Sequence, residues 1–382
     1  MRCWINWLVS KASRDTTSGQ FIAEIDGLRF IAIFSVILFH VNWFFTSKTG
    51  KSEEADFLTV FLSHGHIGVQ LFFVISGFVI ALPFAKGHLL QGKQPNLRQY
   101  LFRRLTRLEP PYIFNLLFRF ALLPLATADT FSGLFPHLLA SMGYLHNMIY
   151  GSMSKINFVA WSLEIELQFY LVAPFITSLF MIRSKFIRRL VLVSLIIIFL
   201  IFANVLREFP RINLSVLSQA HYFLAGFLLV DIYLTEWHRD PTKSWHWDVV
   251  SVLAWSGVCF LLYQSGGEQL IVFPTFIAYV AAFKGVLSNK FFRQPFIYTI
   301  GGMCYTIYLY HYSLISALGH QMILIEHLNQ LPVWLEIIVA GVVIIPATLI
   351  FCAIMFILIE KPCMKKDWHV KLLKRFRLGL QV

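Results

Sequence analysis

Hydrophobic residues occur in long runs along most of this 382-residue chain. Runs of about 20 apolar residues are long enough to cross the hydrocarbon core of a bilayer as helices. The pattern therefore predicts an all-α integral membrane protein with about ten transmembrane helices. We place the spans at residues 26–46, 66–86, 104–125, 159–182, 188–206, 214–235, 247–265, 269–287, 296–318 and 334–358.

The composition agrees with a membrane protein. Hydrophobic residues make up 57% of the chain and charged residues only 14%, whereas a soluble domain carries about 25% charged residues. We find no soluble domain and no internal repeat. The five cysteines show neither a metal-type spacing nor a disulfide framework.

The net charge is +12, and the basic residues responsible for it fall between the hydrophobic segments. The charge therefore does not indicate a nucleic-acid partner. Lysine and arginine are concentrated in alternate connections, by about five to one, which predicts that both termini are cytoplasmic. The chain then divides into an interfacial segment (1–25), a transmembrane domain (26–360) and a basic amphipathic tail (361–382). We expect the tail to lie on anionic headgroups.

Arg29 and His40 lie eleven residues apart in the first predicted span. Eleven helical steps come to about 1100° and 16 Å, so both side chains share one face at different depths. Charged or titratable residues at membrane depth are costly and are usually functional. The pattern is typical of a polar path or a site. The alternative is a snorkelling arginine and a histidine that is hydrogen-bonded within the bundle.

The third predicted span opens with three arginines, Arg103, Arg104 and Arg107. Arg104 and Arg107 are three residues apart and share a helix face. A cationic cluster at a helix N-terminus can bind phosphate groups. The alternative is an ordinary basic anchor on the cytoplasmic side.

The fourth predicted span opens with the segment WSLEIELQFY, which begins at Trp161 and carries two glutamates. Glu166 lies four residues after Ser162, on the same helix face. Glu164 lies about 200° around the helix from Glu166, so the two carboxylates are predicted to have different roles. We expect Glu164 to face water.

The ninth predicted span contains Tyr308 and His311, three residues apart. They are candidates for a site, although a single histidine there is also compatible with a satisfied bundle residue. His64 and His66 flank a glycine near the outer end of the second span, but no third ligand lies at a metal-like spacing. We therefore predict no metal site.

Six sequence motifs that follow one another along the chain are specific in combination. The segment EIDGLRFIAIFSVILFH resembles the opening span of the membrane-bound acyltransferase family 3, a bacterial group that acylates cell-surface carbohydrates. The family's Arg-x10-His pattern falls on Arg29 and His40. HIGVQLFFVISGFVI resembles the family's second span, and its Arg-x-x-Arg pattern falls on Arg104 and Arg107.

The resemblance continues to the end of the predicted domain. WSLEIELQFY is similar to a family motif whose glutamate falls on Glu166, although the adjacent glutamate pair often found there is here split by an isoleucine. CYTIYLYH is similar to a motif that ends on His311, with Cys304 in place of the usual serine. FILIEKPC resembles the closing Glu-x-Pro pattern, at Glu360.

The resemblance implies a multi-pass protein of the bacterial cytoplasmic (inner) membrane that takes acyl-CoA, most simply acetyl-CoA, as co-substrate and a carbohydrate as acceptor. His40 would act as general base, and Glu166 would orient it or contact the acceptor. A covalent acyl-histidine step stays open. The remaining roles would be donor binding by Arg29, Arg103, Arg104 and Arg107, and support of the substrate by Trp161, Ser162, Tyr308 and His311.

Two other classes of function stay open from the residues alone. In a transporter or flippase, the intramembrane Arg, His and Glu would line a polar path. In a regulatory membrane protein without catalysis, the same groups would be structural. Neither the acyl group, acetyl or succinyl, nor the acceptor glycan follows from the sequence.

Overall fold

The described part of the chain is a bundle of helices. The computed structural model describes residues 21–50, 56–264, 266–365 and residue 368, and no β-strand occurs among them. The helices of the first half are α1 (Ala23–Lys48), α2 (Phe57–Ser63), α3 (Gly68–Leu89), α4 (Leu97–Ala126), α5 (Phe131–Met142), α6 (His146–Tyr150), α7 (Trp161–Ile176) and α8 (Lys185–Val205).

The second half continues with helices of very different length. They are α9 (Pro210–Asn213), α10 (Val216–Thr235), α11 (His246–Leu262), α12 (Gly267–Leu270), α13 (Val272–Lys284), α14 (Leu287–Phe292), α15 (Pro295–Gly302), α16 (Cys304–Ile323), α17 (Glu326–Asn329), α18 (Val333–Met355) and α19 (Lys361–Cys363). Short 3-10 turns cover His64–Ile67, Phe158–Ala160 and Thr177–Met181, and a π-helical turn covers Phe356–Glu360.

The prediction of an all-α membrane protein is confirmed. Six helical segments of the described chain are long and apolar enough to cross a membrane. They coincide with six of the predicted spans and are Ala23–Lys48, Phe57–Leu89, Phe158–Met181, Lys185–Val205, Pro210–Thr235 and Val333–Cys363.

The other four predicted spans are also helical, but they do not have the same length and hydropathy. The span at 104–125 lies inside α4, whose arginines lower its hydropathy. The span at 296–318 is divided at Met303 between α15 and α16. The count of about ten spans and the cytoplasmic termini therefore stay predictions. Residues 1–20 and most of the predicted tail lie outside the described residues.

One end of the bundle carries linked basic side chains, and we call it the basic end. There Arg293 and Asn289 donate to Glu24 at the start of α1, at 3.2 Å and 2.9 Å. Lys185 forms an ion pair with Glu236 at the same end, at 3.1 Å. These contacts join the start of α1 to α14, and the start of α8 to the residue after α10.

A buried ion-pair network joins α8 to α10. Arg188 of α8 is buried and donates from Nε to Asp231 of α10 at 2.5 Å, while Arg189 donates to the other oxygen of the same carboxylate at 2.7 Å. A carboxylate at this depth is tolerable because two guanidinium groups compensate it. The network fixes α8 against α10.

Glycines allow close backbone contacts between neighbouring helices. A Cβ atom at Gly226 of α10 would lie 2.2 Å from the carbonyl oxygen of Val74 in α3. A Cβ atom at Gly301 of α15 would lie 1.7 Å from the carbonyl oxygen of Asp26 in α1. Small residues let membrane helices pack backbone to backbone. The second contact sets the position of the α1 turn that precedes Arg29.

We expect Gly226→Ala to lower the melting temperature of the detergent-solubilised protein, because the new methyl group must push α3 and α10 apart. Overpacking of this kind costs about 1–3 kcal/mol. The matched control is Gly341→Ala in α18, where the added Cβ would meet only the end of Ile345, at 3.7 Å. Equal melting temperatures for the two variants would contradict the close packing of α3 on α10.

Candidate active site

Helix α1 carries the polar residues from which the site is built. Arg29, six residues into the helix, donates to the carboxylate of Asp26 one turn earlier. Arg29 also lines two neighbouring cavities. It therefore pairs with Asp26 and is accessible to a ligand at the same time.

The first cavity lies at the basic end, and we call it the basic cavity. Its charged lining residues are Arg29, Lys86, Arg103, Arg104 and Arg107, with Asp26 as the one carboxylate. The field inside such a cavity attracts anions. The structure therefore brings together all four arginines that the sequence nominated for donor binding.

The second cavity lies next to the basic cavity, and we call it the deep cavity. The two cavities share Arg29, Arg104 and Arg107 as lining residues. The other polar side chains that line the deep cavity are Ser76, Ser162, Glu166, Tyr170, Cys304, Tyr305 and Tyr308. A molecule with an anionic end in the basic cavity can thus extend into a less charged space.

Neighbouring side chains orient Arg104 and Arg107. The Arg104 guanidinium lies between two aromatic rings, 5.8 Å from the centroid of Tyr100 and 5.3 Å from that of Tyr170. Cation–π contacts of this kind orient an arginine without neutralising it. Arg107 lies 3.6 Å from the carboxylate of Glu360.

Glu360 lies in the π-helical turn that ends the last long apolar segment. Its carboxylate is fully buried and accepts hydrogen bonds from the backbone N–H of Thr306, at 3.2 Å, and from the Thr306 hydroxyl, at 2.5 Å. Single π-helical turns often occur at functional sites. Here the turn connects the end of the apolar segment to the start of α16 and to Arg107.

Glu166 faces the deep cavity rather than His40. Its Oε1 accepts hydrogen bonds from the Ser76 hydroxyl at 2.9 Å and from the Tyr170 hydroxyl at 2.5 Å. The spacing of four residues between Glu166 and Tyr170 predicts their contact, but the contact with Ser76 joins two distant parts of the chain. In this structure Glu166 is therefore not the hydrogen-bond partner of His40.

Ser162 and Tyr308 meet at the far end of the deep cavity. Their hydroxyl oxygens are 2.7 Å apart, although the residues are far apart in sequence. Trp161 does not line either cavity. Its carbonyl oxygen accepts a hydrogen bond from Asn147 at 2.9 Å, and its ring contacts that of Phe73.

His40 is buried and pairs with His311 of α16. Nδ1 of His40 lies 2.9 Å from the carbonyl oxygen of Val36 and 3.1 Å from Nε2 of His311. Nδ1 of His311 lies 3.0 Å from the carbonyl oxygen of Ile307 and 2.9 Å from that of Tyr308. The pairing connects two residues that the sequence analysis considered separately.

These contacts assign the tautomers of both rings. Carbonyl oxygens only accept hydrogen bonds, so Nδ1 of His311 carries a proton, and Nε2 of a neutral His311 is an acceptor. Nδ1 of His40 likewise carries a proton, which it shares between Val36 and His311. The lone pair of a neutral His40 is therefore on Nε2, which has no hydrogen-bond partner among the described residues. That atom can accept a proton from a reactant.

The expectation that Glu164 faces water is wrong. Its side chain is 2% exposed, and its two carboxylate oxygens accept from the backbone N–H groups of His146, at 3.2 Å, and Asn147, at 2.8 Å. These are free N–H groups at the start of α6, which attract a carboxylate. Glu164 therefore attaches the segment before α7 to α7 itself.

Arg119 of α4 is a further polar residue near the histidine pair that motif spacing did not identify as a site residue. Its Nε donates to the carbonyl oxygen of Ile156 at 2.5 Å, and its Nη1 donates to Ser313 of α16. No carboxylate lies within ion-pair distance of Arg119 in the described part of the chain. An arginine inside a predicted span in itself indicates a functional or structural role, because a charge at membrane depth is costly.

The two histidines that flank Gly65 do not form a metal centre with their neighbours. His66 lies 3.3 Å from Glu268, and the ring of His64 packs on Tyr263 at 5.0 Å. Over the described ranges, no group of three or more His, Cys, Asp or Glu side chains is arranged to hold a metal ion.

The fold and the site define a helical membrane protein with a basic cavity at one end and a histidine pair beyond it. A family model described as an acyltransferase domain matches residues 22–356. The chain therefore belongs to the membrane-bound acyltransferase family 3, as the motifs predict.

Curated relatives agree with the family. The chain is 26% identical over 380 residues to O-acetyltransferase OatA of Staphylococcus aureus strain NCTC 8325, a match that covers 92% of this chain and 58% of the relative. O-acetyltransferase OatA of Staphylococcus aureus strain COL matches to the same extent. The chain thus spans less than two thirds of the length of these relatives. No solved structure matches it at a significant level.

We expect Glu164→Gln to loosen the start of α6, because an amide side chain can accept through only one of its two terminal atoms. Loss of one charge-assisted bond to a buried N–H group costs about 1–3 kcal/mol. Hydrogen exchange measured by mass spectrometry should become faster in residues 145–150. Glu326→Gln, which changes an exposed glutamate in the first turn of α17, is the control. Unchanged exchange in residues 145–150 would contradict the capping role.

Proposed function

We propose that the protein is a membrane-embedded O-acyltransferase. It moves an acyl group, most simply acetyl, from cytoplasmic acyl-CoA to a hydroxyl of a cell-surface or periplasmic carbohydrate. The observation that carries the proposal is the His40–His311 pair, which leaves Nε2 of His40 without a partner among the described residues. The family supports acyl transfer, and relatives named O-acetyltransferase support an oxygen acceptor and an acetyl group.

The basic cavity is the proposed site for the phosphates of the donor. Arg29, Arg103, Arg104 and Arg107 supply guanidinium groups, which bind phosphate in two-pronged, charge-assisted hydrogen bonds. The bonds of Arg29 to Asp26 and of Arg107 to Glu360 orient these groups before the donor arrives. Ordered side chains lose less entropy on binding.

The deep cavity is the proposed site for the pantetheine arm and the thioester. The arm carries amide N–H groups, and Glu166 offers a carboxylate that lines this cavity. Ser162 and Tyr308 are at the far end, and the Tyr308 ring centroid lies 6.2 Å from that of His311. The thioester would pass these side chains to reach His40.

The transfer itself needs a base for the acceptor hydroxyl. Nε2 of His40 takes the hydroxyl proton while the oxygen attacks the thioester carbonyl. The new C–O ester bond forms, the C–S bond breaks, and the CoA sulfur leaves with the proton that His40 returns. His311 is a positioning residue: its Nε2 accepts the Nδ1–H of His40 and strengthens that bond when His40 becomes charged.

We expect His40→Ala to lower acyl transfer by about 10²–10⁴-fold, because the general base is lost. The variant should remain folded in the membrane and still bind acetyl-CoA, since His40 does not line either cavity. Purified protein is incubated with radiolabelled acetyl-CoA and bacterial surface glycans, and the release of CoA is followed. His327→Ala, which removes an exposed histidine of α17, is the control.

The same assay separates the proposed enzyme from its rivals. Full activity of His40→Ala would contradict the mechanism. Glycan movement across vesicles without CoA consumption would instead identify a transporter or flippase. Radiolabel that stays on the protein after rapid quenching would reveal an acyl-histidine step in place of direct transfer.

We expect Arg107→Gln to raise the KM for acetyl-CoA by about 10–100-fold, because hydrogen bonds to charged groups are worth about 1.5–3 kcal/mol. The matched control is Arg98→Gln. Arg98 is an exposed arginine of the same helix that lines neither cavity. An equal KM for the two variants would contradict donor binding in the basic cavity.

A further inference from the structure

Three aromatic side chains surround His40 on the side away from the basic end. The ring centroids of Trp43, Phe158 and Tyr312 lie 6.3, 5.8 and 5.5 Å from that of His40. The three rings also contact one another, at centroid distances of 5.8 Å (Trp43–Phe158), 5.6 Å (Trp43–Tyr312) and 4.6 Å (Phe158–Tyr312). We call them the aromatic cluster.

The aromatic cluster connects the buried histidine with the surface. His40 is 7% exposed, whereas Trp43, three residues further along α1, is 42% exposed. Phe158 and Tyr312 are partly exposed. Because α1 starts at the basic end, Trp43 lies near the opposite end of the bundle, beyond His40. A reactant that arrives from that end meets the exposed part of these rings before it meets the buried ring of His40.

Polar contacts hold the segments that carry the aromatic cluster. Arg119 binds the carbonyl oxygen of Ile156, two residues before Phe158, and the hydroxyl of Ser313, next to Tyr312. Asn157 donates to Asn115 of α4 at 2.8 Å. A partly buried arginine at membrane depth is a costly support. Aromatic residues of an interfacial belt lie against headgroups and need no such support.

We propose that the aromatic cluster is the acceptor subsite, where a pyranose ring stacks on the aromatic surface and presents a hydroxyl to Nε2 of His40. This inference rests on the proposed function. A pyranose has an apolar face of C–H bonds and a rim of hydroxyls, and the electron-rich face of an aromatic ring attracts polarised C–H groups. Stacking fixes the plane of the sugar ring. The hydroxyl that reaches Nε2 of His40 is then one of those on the edge of that ring.

The chemistry of the aromatic cluster excludes one simple alternative for the acceptor. An open-chain polyol offers hydroxyl groups but no flat C–H face, so we expect it to bind far more weakly than a pyranose. An acyl chain is apolar and would also bind aromatic rings, which makes it a second ligand to examine.

The test measures binding directly and does not depend on turnover. Detergent-solubilised full-length protein is studied by saturation-transfer NMR with chitotetraose, maltotetraose, sorbitol and octanoate as separate probes. The variants are Trp43→Ala and, as the conservative change, Trp43→Phe. The matched control is Trp334→Ala, because Trp334 has the same 42% exposure and lies in the first turn of α18, at the same end of the bundle. CoA release from acetyl-CoA is measured on the same samples.

We expect at least one tetrasaccharide to receive saturation on its ring C–H protons, and sorbitol to receive almost none. Trp43→Ala should weaken tetrasaccharide binding about tenfold, and Trp43→Phe should restore most of it. Trp334→Ala should bind like the unchanged protein.

Each contrary result has a distinct meaning. Equal saturation in Trp43→Ala and the unchanged protein, no saturation of either tetrasaccharide, or Trp43-dependent binding of octanoate alone would overturn the inference. If CoA release is normal in that case, the proposed function stands without this subsite. If tetrasaccharides bind through Trp43 but no His40-dependent CoA release occurs, the aromatic site stands and the proposed transfer fails.

Discussion

The hydrogen bond between Nδ1 of His40 and Nε2 of His311 is the contact on which the arrangement of the site depends. It joins α1 to α16, and the carbonyl oxygens beside each ring leave one consistent placement of the protons. The lone pair of His40 is then on Nε2. A base placed in this way needs no carboxylate partner, because an uncharged histidine performs the orienting role.

Helix α1 carries the elements of the proposed reaction in order. Arg29 lines the cavities at the basic end, His40 lies further along, and Trp43 follows three residues later. The close approach of Gly301 to the backbone of Asp26 fixes the start of this series. A donor and an acceptor that enter from opposite ends would therefore meet near one ring nitrogen. The geometry suits a transfer between two sides of a membrane.

The sequence could predict much of this, and the remainder depends on contacts between distant residues. Apolar runs predicted the helical membrane class, and spacing nominated Arg29, His40 and the α4 arginines. Spacing could not reveal that His311 pairs with His40, because 271 residues separate them. It also misjudged Glu164, whose carboxylate is buried on N–H groups 17 and 18 residues away. Local periodicity reports a helix face, but it does not report what covers that face.

The central claim is best tested by observing the ring nitrogens of the two histidines. Solid-state NMR of protein labelled with ¹⁵N-histidine in lipid bilayers, with His40→Gln and His311→Gln for assignment, reports which nitrogen carries each proton. At a pH where both rings are neutral, the account predicts a protonated Nδ1 and an unprotonated Nε2 for each histidine, with the His40 Nδ1 signal shifted in His311→Gln. A protonated Nε2 on neutral His40 would contradict it, because that atom could not then act as the base.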